Sequence, residues 1–430
     1  MYKFILIILI SIIPLAAQPV DSLINLAINN NPLLKSYKAK VLAIQNRAEA
    51  VNQLPPPSLS IEFNQIPFNS LNIWNESESN SISLSQMFML GGKLGAMKDV
   101  ELKNINIETA NSKIAAINII AGIKMNYYNL WITERKIEIQ ERIITTLEQL
   151  INNLNVQLSI NKINQADILA LTGEIFTNKT QVANLINEKQ KYINSLNRFL
   201  GFALDTISTS IDISTQANID EKYLLDYLSS NNPILVKMDA MSEMNKAMIN
   251  ANNRDKIPDL MVQGMLMRMP LGMPLYAGSD LSMTSMDGNK TEYMYSIMAS
   301  VTLPFAPWSA NKYKFKEEEL LATIKGIQYE KEDMRNEMLN NLKNSIIKFK
   351  NSKNLLQLYS DNVIPVYENT LNLQILTYQT SRSNLTAVID AVRMLLMQHM
   401  NYYMAQADIQ MSLAEIEMMA GSSIINLNLD

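Results

Sequence analysis

Cysteine is absent from this 430-residue chain, histidine occurs once, and glycine and proline are scarce at 12 and 14 residues. Without cysteine there is no disulfide, zinc thiolate, cysteine nucleophile or lipid-modified N-terminal cysteine. His399 alone leaves little room for histidine chemistry, and no set of nucleophile, base and orienting group is present. The chain therefore reads as a non-enzyme, with no cofactor and no firm metal site. Charge is sparse as well: 18% of residues are charged, with a net charge of -4, which provides no basic patch for nucleic acid or a membrane surface. Beyond the first residues no run reaches the roughly 18 apolar residues of a membrane helix. If the chain crosses a membrane, it does so as strands.

The few glycines and prolines fall in clusters, so long uninterrupted elements are expected between them. At the N-terminus, Lys3, the apolar run Phe4 to Ile13, Pro14 and the small residues Ala16 and Ala17 have the layout of a secretory signal peptide over 1–17. Helix follows from Asp21 to Gln53, entered through Asp21 or Ser22 as cap and interrupted near Asn29 to Pro32. Pro55, Pro56 and Pro57 stop it. SLSIEF from Ser58 and SISLSQ from Ser81 then alternate polar and apolar residues with the period of two of a strand, which predicts a β-hairpin over about 58–88. Gly91 and Gly92 end that hairpin, and from Lys93 a helical pattern runs for roughly 65 residues, on the order of 100 Å. The GGKLG stretch lacks the spacing of a phosphate loop, so its glycines are assigned to the strand-to-helix change.

The pattern then repeats. Asn31-Pro32-Leu33-Leu34 returns 201 residues later as Asn232-Pro233-Ile234-Leu235, and the strand at Leu59 returns at the same offset at Leu260. Ile137, Ile144, Leu147, Ile151, Leu154 and Leu158 form a heptad seam, which Leu356, Val363, Val366, Thr370, Leu373 and Thr377 repeat 219 residues on. Each half closes with a polar turn and a return helix ending at Leu200-Gly201 or Ala420-Gly421. The expected organisation is a first repeat over 18–204 with a long helical hairpin at about 93–200, and a linker over 205–220. A second repeat covers 221–421, with a hairpin at about 259–305 and helices at about 309–420, followed by a tail over 422–430. An internal duplication is the simplest account. Glu317 to Glu319 are placed at the opening of the second long helix, where negative charge suits an N-terminus.

Two hairpins supply four amphipathic strands, too few to close a barrel or to pair every backbone group in lipid. Other subunits are needed. At this point the chain resembles the outer-membrane efflux proteins typified by TolC, including the heavy-metal ducts of the same fold. The resemblance rests on the signal peptide, the helix starts at Asn31 and Asn232, the segments LPPPSLSIEF and SLSQMFMLGGK, and YQTSRSNLTAVIDA from Tyr378 to Ala391. It implies a mainly α fold with a small membrane β-part, assembled as a homotrimer: a 12-stranded β-barrel in outer-membrane lipid, continued by a periplasmic α-helical barrel. It further implies docking to a periplasmic adaptor and an inner-membrane pump of the RND type, and a passive exit duct for small molecules or metal ions. A type I protein-secretion duct shares that fold. A secreted coiled-coil scaffold is the alternative of another class, but it leaves the matched strands without a purpose.

In this family acidic residues on the return helices narrow the periplasmic end of the pore, and by position Asp390 and Asp167 are the candidate gate residues, with Ala387 where another acid is common. The plain alternative is that both aspartates are solvated or cap helices. Methionine is the remaining anomaly, 13 of the 27 lying between Met238 and Met298. Met261, Met265, Met267, Met269 and Met273 fall in and just beyond the third strand, and Met283 and Met286 in the loop that follows. Thioethers are soft ligands for Cu(I) or Ag(I), although methionine also fills cores and lipid-facing surfaces without specificity. The series Met394, Met397, Met400, Met404 and Met411 on the last helix is expected to be packing surface.

Overall fold

The computed structural model describes residues 19–68, 71–158, 165–211, 219–270, 291–380 and 382–421. The expected signal peptide, Met273, Met283, Met286 and the tail lie outside them, as does the side chain of Asp167. The chain forms two compact units, one of 39–109 with 237–331 and one of the remaining segments, so each draws on both halves of the sequence.

The helices begin with α1 (Val20–Asn30) and α2 (Pro32–Val51). The helix starts one residue before the expected cap: Pro19 precedes it, and Ser22 Oγ instead donates back to the Pro19 carbonyl at 2.8 Å. The break at Asn31 follows from Pro32, which has no N–H to continue the ladder but suits a first helical turn. Long helices follow: α3 (Ile73–Glu76) is a single turn, whereas α4 (Lys93–Leu158) is unbroken over 66 residues. It turns back as α5 (Gln165–Leu200). After the linker come α6 (Glu221–Asn231), α7 (Pro233–Asp255), α8 (Pro307–Leu358), α9 (Ile364–Gln379) and α10 (Leu385–Ala420). Part of the linker is tied down, since Ile207 is buried, Thr209 bonds Glu134, and the Ser210 N–H donates to Tyr127 Oη at 2.9 Å.

The second long helix departs from its expected course twice. It begins at Pro307, so Glu317 to Glu319 lie about three turns in and are answered by lysines, Lys256, Lys314 and Lys316, rather than by a helix dipole. Between α8 and α9, Tyr359–Val363 forms a π-turn. Pro365 supplies the cause, because its missing N–H leaves the carbonyl one turn back without its α-helical donor. Ile144, Leu147 and Leu154 of the first heptad seam are buried, whereas Val366 and Leu373 of the second, beyond the π-turn, are exposed.

Three clusters make the core of the helical unit. One packs α1 and the middle of α4 against the end of α5 around Leu23, Ile123, Tyr127, Leu130, Leu196 and Leu200. Another packs α6 and α8 on α10 through Leu228, Leu342, Ile346 and Ile416. The third joins the ends of the helical hairpins, with Leu147, Leu154, Leu171 and Ile175 against Leu385 and Ile389. Buried in this unit, Lys124 of α4 forms an ion pair with Glu417 of α10, both side chains 7% exposed.

Two corners use the same atoms. Asn31 Oδ1 accepts from Leu33 N–H while its Nδ2 donates to the Phe199 carbonyl; Asn232 Oδ1 accepts from Ile234 N–H while its Nδ2 donates to the Met419 carbonyl, all at 2.7 to 2.8 Å. Each asparagine thus caps the helix it starts and the return helix beside it. The return helices end at Gly201 and Gly421, both left-handed with φ of +81° and +82°. A Cβ at Gly421 would lie 2.6 Å from Pro233 Cδ. Gly421→Ala should therefore cost about 1–3 kcal/mol, through strain and collision. Gly173→Ala, mid-helix with nothing within 4 Å, should raise stability by roughly 0.4–1 kcal/mol. Denaturant or thermal unfolding of the two variants checks the contrast.

The unit of 39–109 with 237–331 carries an antiparallel sheet of β1 (Ser58–Asn64), β2 (Ser79–Phe88), β3 (Leu260–Met269) and β4 (Glu292–Val301), in the order β1-β2-β3-β4. Each hairpin pairs within itself and β2 pairs β3 across the two halves. Among the described residues β1 and β4 each pair on one side only and form the edges of the sheet.

Candidate channel elements

The register of the sheet sorts its side chains. Directly opposed residues lie on one face, so the pairs Ile61–Ile82, Ile82–Leu266, Leu266–Tyr295 and Gly264–Ile297 define one surface and Ser60–Ser83, Ser83–Met265 and Met265–Ser296 the other. The first surface holds Leu59, Ile61, Phe63, Ile82, Leu84, Leu266, Tyr293, Tyr295, Ile297 and Val301. These are apolar and open, Ile61 being 63% exposed and Tyr295 80%. Water-soluble sheets do not leave such a face bare. Phe63 and Tyr293 stand at one end of this face with Tyr295 one pair further in, Trp74 packs edge-on against Phe63, and Phe88 stands at the other end. Ten residues in each of β2, β3 and β4 span a bilayer core when tilted.

Arg268 is the one charge on the apolar face, and it is folded away at the aromatic end. Its guanidinium lies 5.0 Å over the Trp74 ring, and its Nη1 donates to the Trp74 carbonyl at 2.8 Å. The opposite face carries Ser58, Ser60, Ser81, Ser83, Ser85, Ser296 and Ser300 together with methionines. Met261, Met265, Met267 and Met269 all lie on it. None of the strand methionines shares the face of the leucines and isoleucines. At the other end of the strands, Lys93 and Asp259 form a 2.7 Å ion pair with the lysine side chain 5% exposed, tying the start of α4 to the start of β3. The lysine of the GGK stretch is thus a structural anchor between the hairpins, a role no local pattern announced.

The ends of the helical hairpins form the second element. Asn384 caps α10, its Oδ1 accepting from Ala387 N–H at 3.0 Å. Asp390 follows in the next turn, half exposed, and pairs with Arg393 at 3.4 Å. Arg393 in turn grips Glu174 of α5 with Nε and Nη2 on the two carboxylate oxygens, the first at 3.0 Å. No local pattern announces this clamp, because its two members stand 219 residues apart in the chain. The Arg393 hydrogen bonds, outweighing partial burial, hold the Glu174 carboxyl below its ordinary range. Asp167 belongs to the first turn of α5, and its side chain lies outside those described. His399 lies 3.8 Å from Glu368, with its pKa lowered by burial. Of the methionine series on α10, Met404 and Met411 pack on the core while Met394 and Met397 stand exposed, so only part of it is packing surface.

No described helix is long and apolar enough to cross a membrane, which is no statement about strands. Among the described residues no group of three or more His, Cys, Asp or Glu could hold a metal ion. No family description matches the chain, and no curated protein does. Solved structures do. CusC, described for its transmembrane channel formation, aligns over 95% of this chain and 93% of its own with a TM-score of 0.73 at 16% identity. The open state of the Neisseria gonorrhoeae MtrE outer membrane channel aligns over 94% and 89%, with a TM-score of 0.71 at 17% identity. The Vibrio cholerae outer membrane protein VceC aligns over 94% and 96%, with a TM-score of 0.71 at 11% identity. With a sheet sorted into apolar and polar faces and helical hairpins closed by matching corners, the chain has the fold of the TolC-like outer-membrane channels.

Proposed function

We propose that this protein is the outer-membrane exit duct of a tripartite efflux system, a passive homotrimer that spans the outer membrane and extends into the periplasm. The observation that carries this reading is the sheet: one bare apolar face with aromatic ends, one serine and methionine face, and two unpaired edges at β1 and β4. Unpaired strand edges are intolerable in lipid. Joining β4 of one copy to β1 of the next removes them, and three copies give a 12-stranded barrel with the serine face inward. The exposed Val366 and Leu373 of α9 offer a second surface for a neighbouring copy, consistent with helices that line a duct rather than a solid bundle. The matching corners at Asn31 and Asn232 favour an internal duplication as the origin of the two hairpins.

In this reading the periplasmic end is narrowed by Asp167 and Asp390, and a periplasmic adaptor and an RND-type inner-membrane pump dock there and supply the transport energy. Support for the gate is the half-exposed position of Asp390 beside the clamped hairpin ends. The test is planar-bilayer conductance with mass measurement of the purified protein. A trimer of low conductance, increasing at least severalfold in Asp167→Ala with Asp390→Ala, is expected. A monomer in the soluble fraction without channel activity would return the coiled-coil scaffold to first place.

A further inference from the structure

Resting on the duct reading, we propose that the serine and methionine face of the sheet is a binding track for soft monovalent cations of the Cu(I) and Ag(I) class. The four strands contain seven methionines, Met87, Met261, Met265, Met267, Met269, Met294 and Met298, and the register places every one on the serine face. Every leucine, isoleucine, valine, phenylalanine and tyrosine of the strands lies on the other face. Were methionine there as a flexible apolar filler, it would be sorted with the apolar residues, so the selection is for something other than contact with lipid.

The spacing suits shared ligation. Met87 is directly opposite Met261, and Met267 directly opposite Met294. Met298 stands opposite Gln263, one diagonal step from Met261 and Met265. Opposed side chains start about 5 Å apart at Cβ and diagonal ones about 7–8 Å, both within reach of a thioether on three rotatable bonds. At about 3.3 Å per residue the stretch from Met261 to Met269 covers roughly 26 Å, close to the height of the apolar band of an outer-membrane barrel. The donor chemistry selects the cation. Neutral sulfur favours soft ions, while the carboxylates on this face among the described residues, Glu62 and Glu292, are too few for a hard-ion cage. Sites of two neutral ligands release as readily as they bind, which suits passage and not storage.

The experiment titrates the full-length detergent-solubilised protein with Ag(I) and Cu(I) under anaerobic conditions, with Mg²⁺ as the hard-ion comparison. X-ray absorption reads the bound ion's coordination shell, and K⁺ conductance in planar bilayers is recorded on the same preparations. With no cysteine in the chain, any sulfur in that shell is methionine. Expected are a sulfur-dominated shell, no Mg²⁺ uptake, and at least a tenfold loss of Ag(I) affinity in Met87→Leu with Met261→Leu, Met267→Leu and Met294→Leu. The control Met394→Leu with Met397→Leu, away from the sheet, should keep wild-type binding. A shell of oxygen and nitrogen alone, or equal losses in both variants, overturns the track and leaves the duct standing if K⁺ conductance persists. Membrane-inserted parent protein without conductance overturns the duct reading itself, whatever Ag(I) does. Should the quadruple variant not fold, the shell of the parent decides.

Discussion

Arg393→Ala is expected to raise the resting conductance of the assembled protein by more than any other single substitution at the hairpin ends. The side chain joins α10 to α5 by two charge-assisted bonds to Glu174, whose carboxylate is only 13% exposed, and also lies beside Asp390. Because the guanidinium itself is 56% exposed, one clamp contributes no more than about 1 kcal/mol. In a trimer, three clamps released together amount to about 3 kcal/mol, roughly a hundredfold in the ratio of open to closed tips. Single-channel recording checks this, and an Arg393→Ala channel with the parent's conductance and open probability would show that the clamp does not hold the tip.

The same pair sets a direction with pH. Glu174 is held below its ordinary value in the folded state, so its contribution is complete above the unfolded value near pH 4.3 and is lost as pH falls through the lowered one. Conductance of the parent should thus increase below about pH 4, and Glu174→Gln should remove that step. Burial of His399 acts with the same sign at higher pH: the neutral ring is favoured in the fold, so acidification below about pH 6.5 destabilises this part of α10. The His399→Gln variant separates the two contributions.

Lys124→Met is expected to be the most destabilising substitution in the helical unit, by about 3–5 kcal/mol. It removes the charge partner of Glu417 where both side chains are 7% exposed, on helices whose meeting is fixed by the packing around Tyr128 and Leu130. The double variant Lys124→Met with Glu417→Leu should recover most of that loss, since two well-packed apolar side chains replace the pair. Unfolding midpoints of the single and double variants form the check. If both variants lose equally, the pair serves packing rather than charge compensation. Tyr128 beside it has its hydroxyl pKa raised by burial, with Tyr127 and Glu417 adding to the effect.

Much of this architecture is written locally. Alternation at Ser58 to Phe63 and at Ser81 to Gln86 determined the strands, because the side-chain period of two is a property of extended backbone whatever it packs against. The prolines at 32, 233 and 307 and the left-handed Gly201 and Gly421 determined where helices start and stop, and Asn31 and Asn232 the caps between them. The π-turn was legible too, in Pro365, but the heptad count runs through it unchanged and conceals it. What the tertiary structure alone decided are the pairings across more than 150 residues: Lys93 with Asp259, Lys124 with Glu417, Glu174 with Arg393, and β2 with β3. Long helices rich in Lys, Glu and Asn carry many equivalent charges, and only the docking of one helix on another selects which two meet. The methionine face belongs to both levels. Sequence spacing put Met261, Met265, Met267 and Met269 on one side of a strand, but only the register across four strands joined them to the serines and separated them from the apolar face, because side chains share a surface only where strands are paired.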